Sequence, residues 1–95
     1  MLPDALWMQA TVATRQERWD EAEQALEEGL TLARSMPYPY AEARLLHVYG
    51  EMHVQKGELE PARKRLEAAL AIFRRLDARK DVEQVECALA DLQPP

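Results

Sequence analysis

The sequence has few of the residues that support cross-links, tight turns or membrane spans. It contains one cysteine and three glycines among its 95 residues, and no apolar run is long enough to cross a bilayer. Cys87 has no second cysteine for an internal disulfide, so we interpret it as a structural thiol in a reducing compartment. The first ten residues also lack the basic region and cleavage site of a secretion signal. We therefore expect a cytoplasmic protein that does not contact a membrane.

An excess of positive charge is also missing. The formal net charge is −5, and nucleic-acid binding usually needs a basic surface, so we expect no nucleic-acid partner. The charge is nevertheless uneven: residues 20–34 carry five acidic residues and one basic, whereas residues 59–76 carry five basic and two acidic. Equivalent helices lying side by side would attract each other through these charges. The alternative is that the basic stripe binds an acidic partner.

Patterns that indicate catalysis or metal binding are absent as well. His47 and His53 are six residues apart, which on a helix separates their directions by about 120° and prevents them from chelating one ion. We interpret His53 as a packing residue and His47 as facing solvent or a groove. No glycine-rich loop could hold a phosphate. We predict a protein that is not an enzyme and has no metal and no cofactor.

The sequence does contain an internal repeat, in which each position corresponds to the one 40 further along the chain. Such a period is typical of helical repeat arrays, in which each unit buries its apolar face against its neighbours. Six pairs of residues at this spacing are identical: Leu6 and Leu46, Ala22 and Ala62, Leu26 and Leu66, Glu27 and Glu67, Leu30 and Leu70, Arg34 and Arg74.

The apolar periodicity predicts five helices and no strand. An Asp20–Glu23 capping box is expected to start the second helix, and the two prolines of the segment MPYPY to end it. Gly57 should end the third helix in a left-handed conformation, and Pro61 should lie in the first turn of the fourth. The first three predicted helices cover residues 3–16, 20 to the MPYPY segment, and about 40–56. The fourth has Pro61 in its first turn and ends near residue 76, and the fifth covers about 78–92.

The stretch AEARLLHVYGEMHVQKGELEPARKRLEAAL resembles a tetratricopeptide repeat. Gly50, Gly57 and Ala62 stand at the consensus spacing, and the small residues fit where two antiparallel helices cross closely. A first unit matches less well, since Glu17 replaces the usual loop glycine. Repeat units of this length are similar to those in the C-terminal arrays of bacterial transcriptional activators and signalling ATPases. The resemblance implies an all-α superhelix of two hairpins, about 3–42 and 43–82, with a capping helix at about 78–92.

The resemblance also implies that the odd-numbered helices line a concave face that binds a protein or peptide. The corresponding positions are Trp7, Thr11, Thr14, Arg15, Arg44, His47, Glu51, Gln55, Gln84, Cys87 and Asp91. Leu2, Trp7 and Met8 would lie on the outer side of the first helix, where the open end of an array exposes apolar surface. We expect these residues to support a homodimer.

Two functions remain open from the sequence. The first is a non-catalytic interaction module, as the terminal fragment of a larger bacterial regulatory protein that uses its concave face. The second is a purely structural segment that caps or dimerises a longer helical array and binds nothing else.

Overall fold

The computed structural model describes the backbone of residues 3–92 and the side chains of residues 8, 9 and 11–92. Five helices follow one another: α1 (Pro3–Arg15), α2 (Trp19–Ser35), α3 (Pro39–Lys56), α4 (Leu59–Arg75) and α5 (Arg79–Leu92). No strand occurs between residues 3 and 92. The predicted all-α fold is confirmed, with helix ends that differ from the predictions by about one residue.

The helices form two hairpins and a final helix. Helix α1 packs on α2 and α3 on α4, while α3 also contacts α1 and α2, and α5 packs on α4. The array is flat, with principal dimensions of 41 × 32 × 18 Å. Because α3 packs extensively on three other helices, it forms the centre of the hydrophobic core.

The core is built from the residues that recur in the two repeat units. Ala22, Leu26 and Leu30 of α2 are all buried, as are their counterparts Ala62, Leu66 and Leu70 of α4. On α5, Val85 and Leu92 are buried, and Val82 and Leu89 pack partly buried against the core. The periodicity therefore identified the apolar contacts between the helices.

Gly50 marks the closest crossing of α3 and α4. A Cβ atom built on Gly50 would lie 2.6 Å from Cγ of Leu66 and 3.3 Å from the carbonyl oxygen of Ala62. Only a hydrogen fits in this space. The predicted requirement for a small side chain at this crossing is confirmed.

Three of the turns between helices share one hydrogen-bond pattern. After α3, Gly57 is left-handed with a φ of 82°, its N–H binds the carbonyl of Val54, and the N–H of Glu58 binds that of His53. This pattern is the Schellman motif. The same two bonds recur around Glu17 and Asp77, where φ is 58° and 56°.

The capping box predicted at the start of α2 is wrong. The helix begins at Trp19, one residue earlier than predicted, and no side chain caps its first turn. The Schellman bond from the N–H of Arg18 to the carbonyl of Ala13 fixes the entry of the chain, so Asp20 already lies inside the first turn. Negative charge in the first turn is still favoured by the positive end of the helix dipole.

A polar network joins α2, α3 and α4. The hydroxyl of Tyr49 donates a hydrogen bond of 2.7 Å to Glu27, and the guanidinium of Arg65 lies 4.1 Å from the centre of the Tyr49 ring. His53 stacks on Tyr49 with 5.0 Å between the ring centres. The predicted packing role of His53 is therefore confirmed.

The same histidine reaches the turn that follows α3. Its Nδ1 atom lies 2.8 Å from Oε1 of Glu58. That hydrogen bond lowers the pKa of the Glu58 carboxyl, an effect to which nearby Lys56 adds. The pair links the end of α3 to the turn that starts α4.

Candidate functional site

A groove crosses α1, α3 and α5 on one side of the molecule, and we call it the inner groove. It has a volume of about 400 Å³. The residues that line it are Thr11 and Arg15 of α1, Tyr40, Arg44, His47, Val48 and Glu51 of α3, and Asp81 and Gln84 of α5. The groove therefore draws on all three odd-numbered helices.

Six of the residues predicted for the concave face line this groove together, namely Thr11, Arg15, Arg44, His47, Glu51 and Gln84. Gln55 is exposed one turn beyond Glu51 on α3, outside the groove. Cys87 and Asp91 are placed further along α5, also outside it. The side chain of Trp7 and the whole of Leu2 lie outside the described residues, while Met8 is 61% exposed on α1.

The placement of Thr14 in the concave face is wrong. Thr14 is only 3% exposed, and its hydroxyl oxygen is buried without a hydrogen-bond partner among the described residues. On a helix it points about 60° away from Thr11 and about 100° from Arg15, both of which line the groove. Because α1 packs on both α2 and α3, its buried arc is wide enough to include Thr14.

Three residues of the groove were missed, Tyr40, Val48 and Asp81. The hydroxyl of Tyr40 donates a hydrogen bond of 3.0 Å to Asp81, which joins α3 to α5. Burial and this bond raise the pKa of Tyr40. The helical spacing 40, 44, 47 and 51 could have identified Tyr40, but Tyr40 stands at the predicted start of the third helix, directly after Pro37 and Pro39, and was not assigned to the concave face.

The polar groups of the inner groove carry charges of both signs. The guanidinium of Arg44 lies 5.7 Å from the centre of the Tyr40 ring, and Nε2 of His47 lies 3.2 Å from Glu51. Arg15 is exposed, and no carboxylate of the described residues lies within 4.0 Å of it. The groove thus offers arginine and amide donors beside two carboxylates, which suits hydrogen bonding to a polypeptide.

The described part of the chain shows neither a metal-ligand cluster nor a membrane span. No three His, Cys, Asp or Glu side chains of residues 8–92 with described positions group in a way that could hold a metal ion. None of the five helices combines the length and apolar character that crossing a bilayer requires.

Comparison with known proteins agrees with this architecture. A sequence profile described as tetratricopeptide repeat matches residues 2–75. Regulatory protein RapG of Bacillus subtilis (strain 168) is 37% identical over 57 residues, which are 60% of this chain. The matched part spans only 16% of the length of that relative. No solved structure gives a significant match.

The profile covers α1 to α4 completely, and the structure places those helices in two antiparallel hairpins, with Gly50 where α3 and α4 cross. The chain belongs to the tetratricopeptide repeat family.

Proposed function

We propose that this chain is a non-catalytic protein–protein interaction module whose inner groove binds a peptide or a protein segment. The observation that carries the proposal is the convergence of donors from α1 and α3, with Arg15 and Arg44 in one groove. Arginine forms strong, often bidentate hydrogen bonds with carboxylates and carbonyl groups. The similarity to a regulatory protein supports a finer proposal, that the module serves a larger bacterial regulatory protein in the cytoplasm.

The inner groove can be tested with peptides selected by the protein itself. A library of random peptides displayed on phage would be panned against the full chain, and the affinity of the selected peptides measured by fluorescence anisotropy. We expect Arg15→Ala and Arg44→Ala each to weaken binding about tenfold or more, because a hydrogen bond to a charged group contributes roughly 1.5–3 kcal/mol. Arg15 is exposed, so its removal should leave the melting temperature unchanged.

Two matched variants serve as controls. Gln55→Ala changes a residue of α3 outside the groove, and Lys80→Ala removes an exposed cation from α5. Both should bind the selected peptides as the unchanged protein does. Peptides that bind equally well to Arg15→Ala, Arg44→Ala and the controls would contradict the proposed site.

A specific observation also favours the structural alternative, a capping or dimerisation segment. Met8 is 61% exposed and Val12 is 46% exposed, one turn apart on α1. The sequence predicts that Leu2 and Trp7 extend this exposed apolar surface, and a surface of this kind can pair with a second copy. This alternative accounts for a homodimer without any other partner.

Light scattering separates the two functions. If α1 mediates a homodimer, the chain should have twice its monomer mass at high micromolar concentration, and Met8→Asp or Trp7→Asp should restore the monomer. A monomer at all concentrations, unchanged by either substitution, would remove the alternative. Peptide binding that persists in a monomeric Met8→Asp variant would show that recognition does not depend on dimerisation.

A further inference from the structure

A second and larger groove lies on the other side of α3. Helices α2 and α4 form its walls and α3 forms its floor, and we call it the outer groove. Its volume is about 990 Å³. Leu46 and Tyr49 of the floor are almost completely buried, so the floor is open to a ligand only at the partly buried Glu42 and His53, and most of the open surface belongs to the two walls.

The wall formed by α4 presents one continuous stripe of exposed side chains. Lys64, Ala68, Ala71 and Arg75 follow one another at spacings of four, three and four residues. Lys64 and Arg75 are therefore three helical turns apart, about 16 Å along the axis, and point in nearly the same direction. The two alanines between them leave room for another backbone to approach closely.

The internal ion pairs leave this stripe unneutralised. Four neighbouring arginines each have a carboxylate within 4.0 Å: Arg34 has Glu42, Arg63 has Glu60, Arg65 has Glu27 and Arg74 has Glu86. Lys64 and Arg75 have no such carboxylate among the described residues. Within the outer groove, the cations that lack a carboxylate among the described residues therefore lie at the two ends of the stripe.

We propose that the outer groove binds an acidic helix of a partner protein. The helix would carry two carboxylates about three helical turns apart on one face, to meet Lys64 and Arg75, with small side chains between them opposite Ala68 and Ala71. A helix fits because its own rise places side chains at this spacing on one face. The proposal concerns a surface separate from the inner groove and does not depend on the function of that groove.

A nucleic acid suits this groove less well. Phosphate binding gains its strength from many cations, whereas the outer groove offers two that lack a carboxylate partner among the described residues. The chain as a whole also carries a net charge of −5. Two discrete charges separated by alanines instead match discrete carboxylates on a protein helix.

The experiment titrates the full, ¹⁵N-labelled chain with a synthetic helical peptide about five turns long, rich in alanine and glutamine. The peptide carries two glutamates at positions i and i+11, and a matched peptide carries glutamines there. We expect the glutamate peptide to shift the amide signals of Lys64, Ala68, Ala71 and Arg75. The glutamine peptide should bind at least fivefold more weakly.

Two double variants with the same change in net charge test the assignment. Lys64→Gln with Arg75→Gln should weaken binding of the glutamate peptide about tenfold, because two ion pairs are lost. Arg79→Gln with Lys80→Gln, at the exposed start of α5, should change the affinity less than twofold. Ala68→Leu should also weaken binding by narrowing the groove, while its amide spectrum remains that of a folded protein.

Several results would overturn the proposal. These are equal affinity for the two peptides, equal effects of the two double variants, or signal shifts confined to the inner groove. A DNA duplex of two helical turns that shifts the same signals at lower concentration would assign the stripe to nucleic acid instead. Signals of the stripe that change with protein concentration alone would assign it to a second copy.

Discussion

Three residues in the turns adopt a left-handed backbone that favours glycine, and only one of them is glycine. A left-handed conformation costs an ordinary residue roughly 1–2 kcal/mol, while glycine loses about 0.5–1 kcal/mol of chain entropy instead. We therefore predict that Glu17→Gly raises the free energy of unfolding by about 0.5–1 kcal/mol. Urea denaturation followed by circular dichroism would measure it.

The other two turns provide matched comparisons for Glu17→Gly. Asp77→Gly should stabilise less, because aspartate tolerates the left-handed region better than glutamate does. Gly57→Ala should destabilise by about 1 kcal/mol through its φ of 82° alone, since no atom lies within 4 Å of the added methyl group. A destabilised Glu17→Gly variant would show that the Glu17 side chain matters more than its backbone.

Gly50 is sensitive for a different reason, the contact with α4. We predict that Gly50→Ala destabilises the protein by about 1–3 kcal/mol, as overpacking does in a closed core. The new methyl group would meet Leu66, which is completely buried and has little room to move. Thermal and urea unfolding would measure the loss.

A double-mutant cycle identifies the source of that loss. Leu66→Ala removes the atoms that the methyl group of Gly50→Ala would strike. In a Leu66→Ala variant, Gly50→Ala should therefore lower the free energy of unfolding much less than it does in the unchanged protein. If Gly50→Ala lowers the free energy of unfolding by the same amount with leucine and with alanine at position 66, the clash lies elsewhere, for example at the carbonyl of Ala62.

At the scale of helices, Tyr49 joins three of them. Burial and the hydrogen bond to Glu27 raise the pKa of the Tyr49 hydroxyl above its usual value near 10. Above pH 10 the unfolded chain therefore releases this proton while the folded protein retains it. The folded state then binds more protons, so the free energy of unfolding must fall as the pH rises.

We predict that Tyr49→Phe lowers the free energy of unfolding by about 1 kcal/mol at pH 8, where one buried hydrogen bond is lost. At pH 11 the difference from the unchanged protein should shrink or reverse, because phenylalanine cannot ionise in the unfolded chain. Urea denaturation at both values of pH would measure it. Tyr38→Phe, at an exposed position between α2 and α3, is the control. A difference that is the same at pH 8 and pH 11 would contradict this account.

The contacts between helices were predictable from the sequence where the periodic apolar face of one helix packs on that of another. Ala22, Leu26 and their counterparts Ala62 and Leu66 needed only the spacing of the internal repeat. Thr14 was misplaced because α1 packs on two neighbours, and a single stripe on α1 does not show the second contact.

Pairing of charges was harder to predict than packing. Equivalent helices of opposite charge were expected to attract each other along their length, but among the described residues Arg65 and Glu27 are the one pair, 4.0 Å apart, that joins α2 to α4. Arg34 and Arg74 instead reach the helix that follows their own, at Glu42 and Glu86. A long side chain can reach several carboxylates. Which of them it pairs with depends on distances in the folded structure, and the separation along the chain does not give those distances.

For the whole molecule, stability should decrease from the centre of the array towards its end. Helix α3 contributes eight buried residues and packs on three helices, whereas α5 contributes two and packs mainly on α4. In repeat proteins, each unit draws its stability from its immediate neighbours. We predict that native-state hydrogen exchange is at least tenfold faster for amides in the middle of α5 than in the middle of α3.

A core substitution offers a control for the exchange experiment. Val85→Ala removes a buried contact of α5 and should accelerate exchange in α5 while leaving α3 close to its original rates. Equal exchange rates in α3 and α5, or equal acceleration of both, would show that the array unfolds in one cooperative step.

The turns at Glu17, Gly57 and Asp77 have the same backbone geometry, and this affects how a repeat protein of this kind can gain or lose helices. The three turns share the same two main-chain hydrogen bonds and one left-handed residue, so a unit of two helices can be added or removed between two such turns while the backbone geometry at both ends stays the same. Growth by duplication then needs new side chains only on the surfaces that meet the added unit.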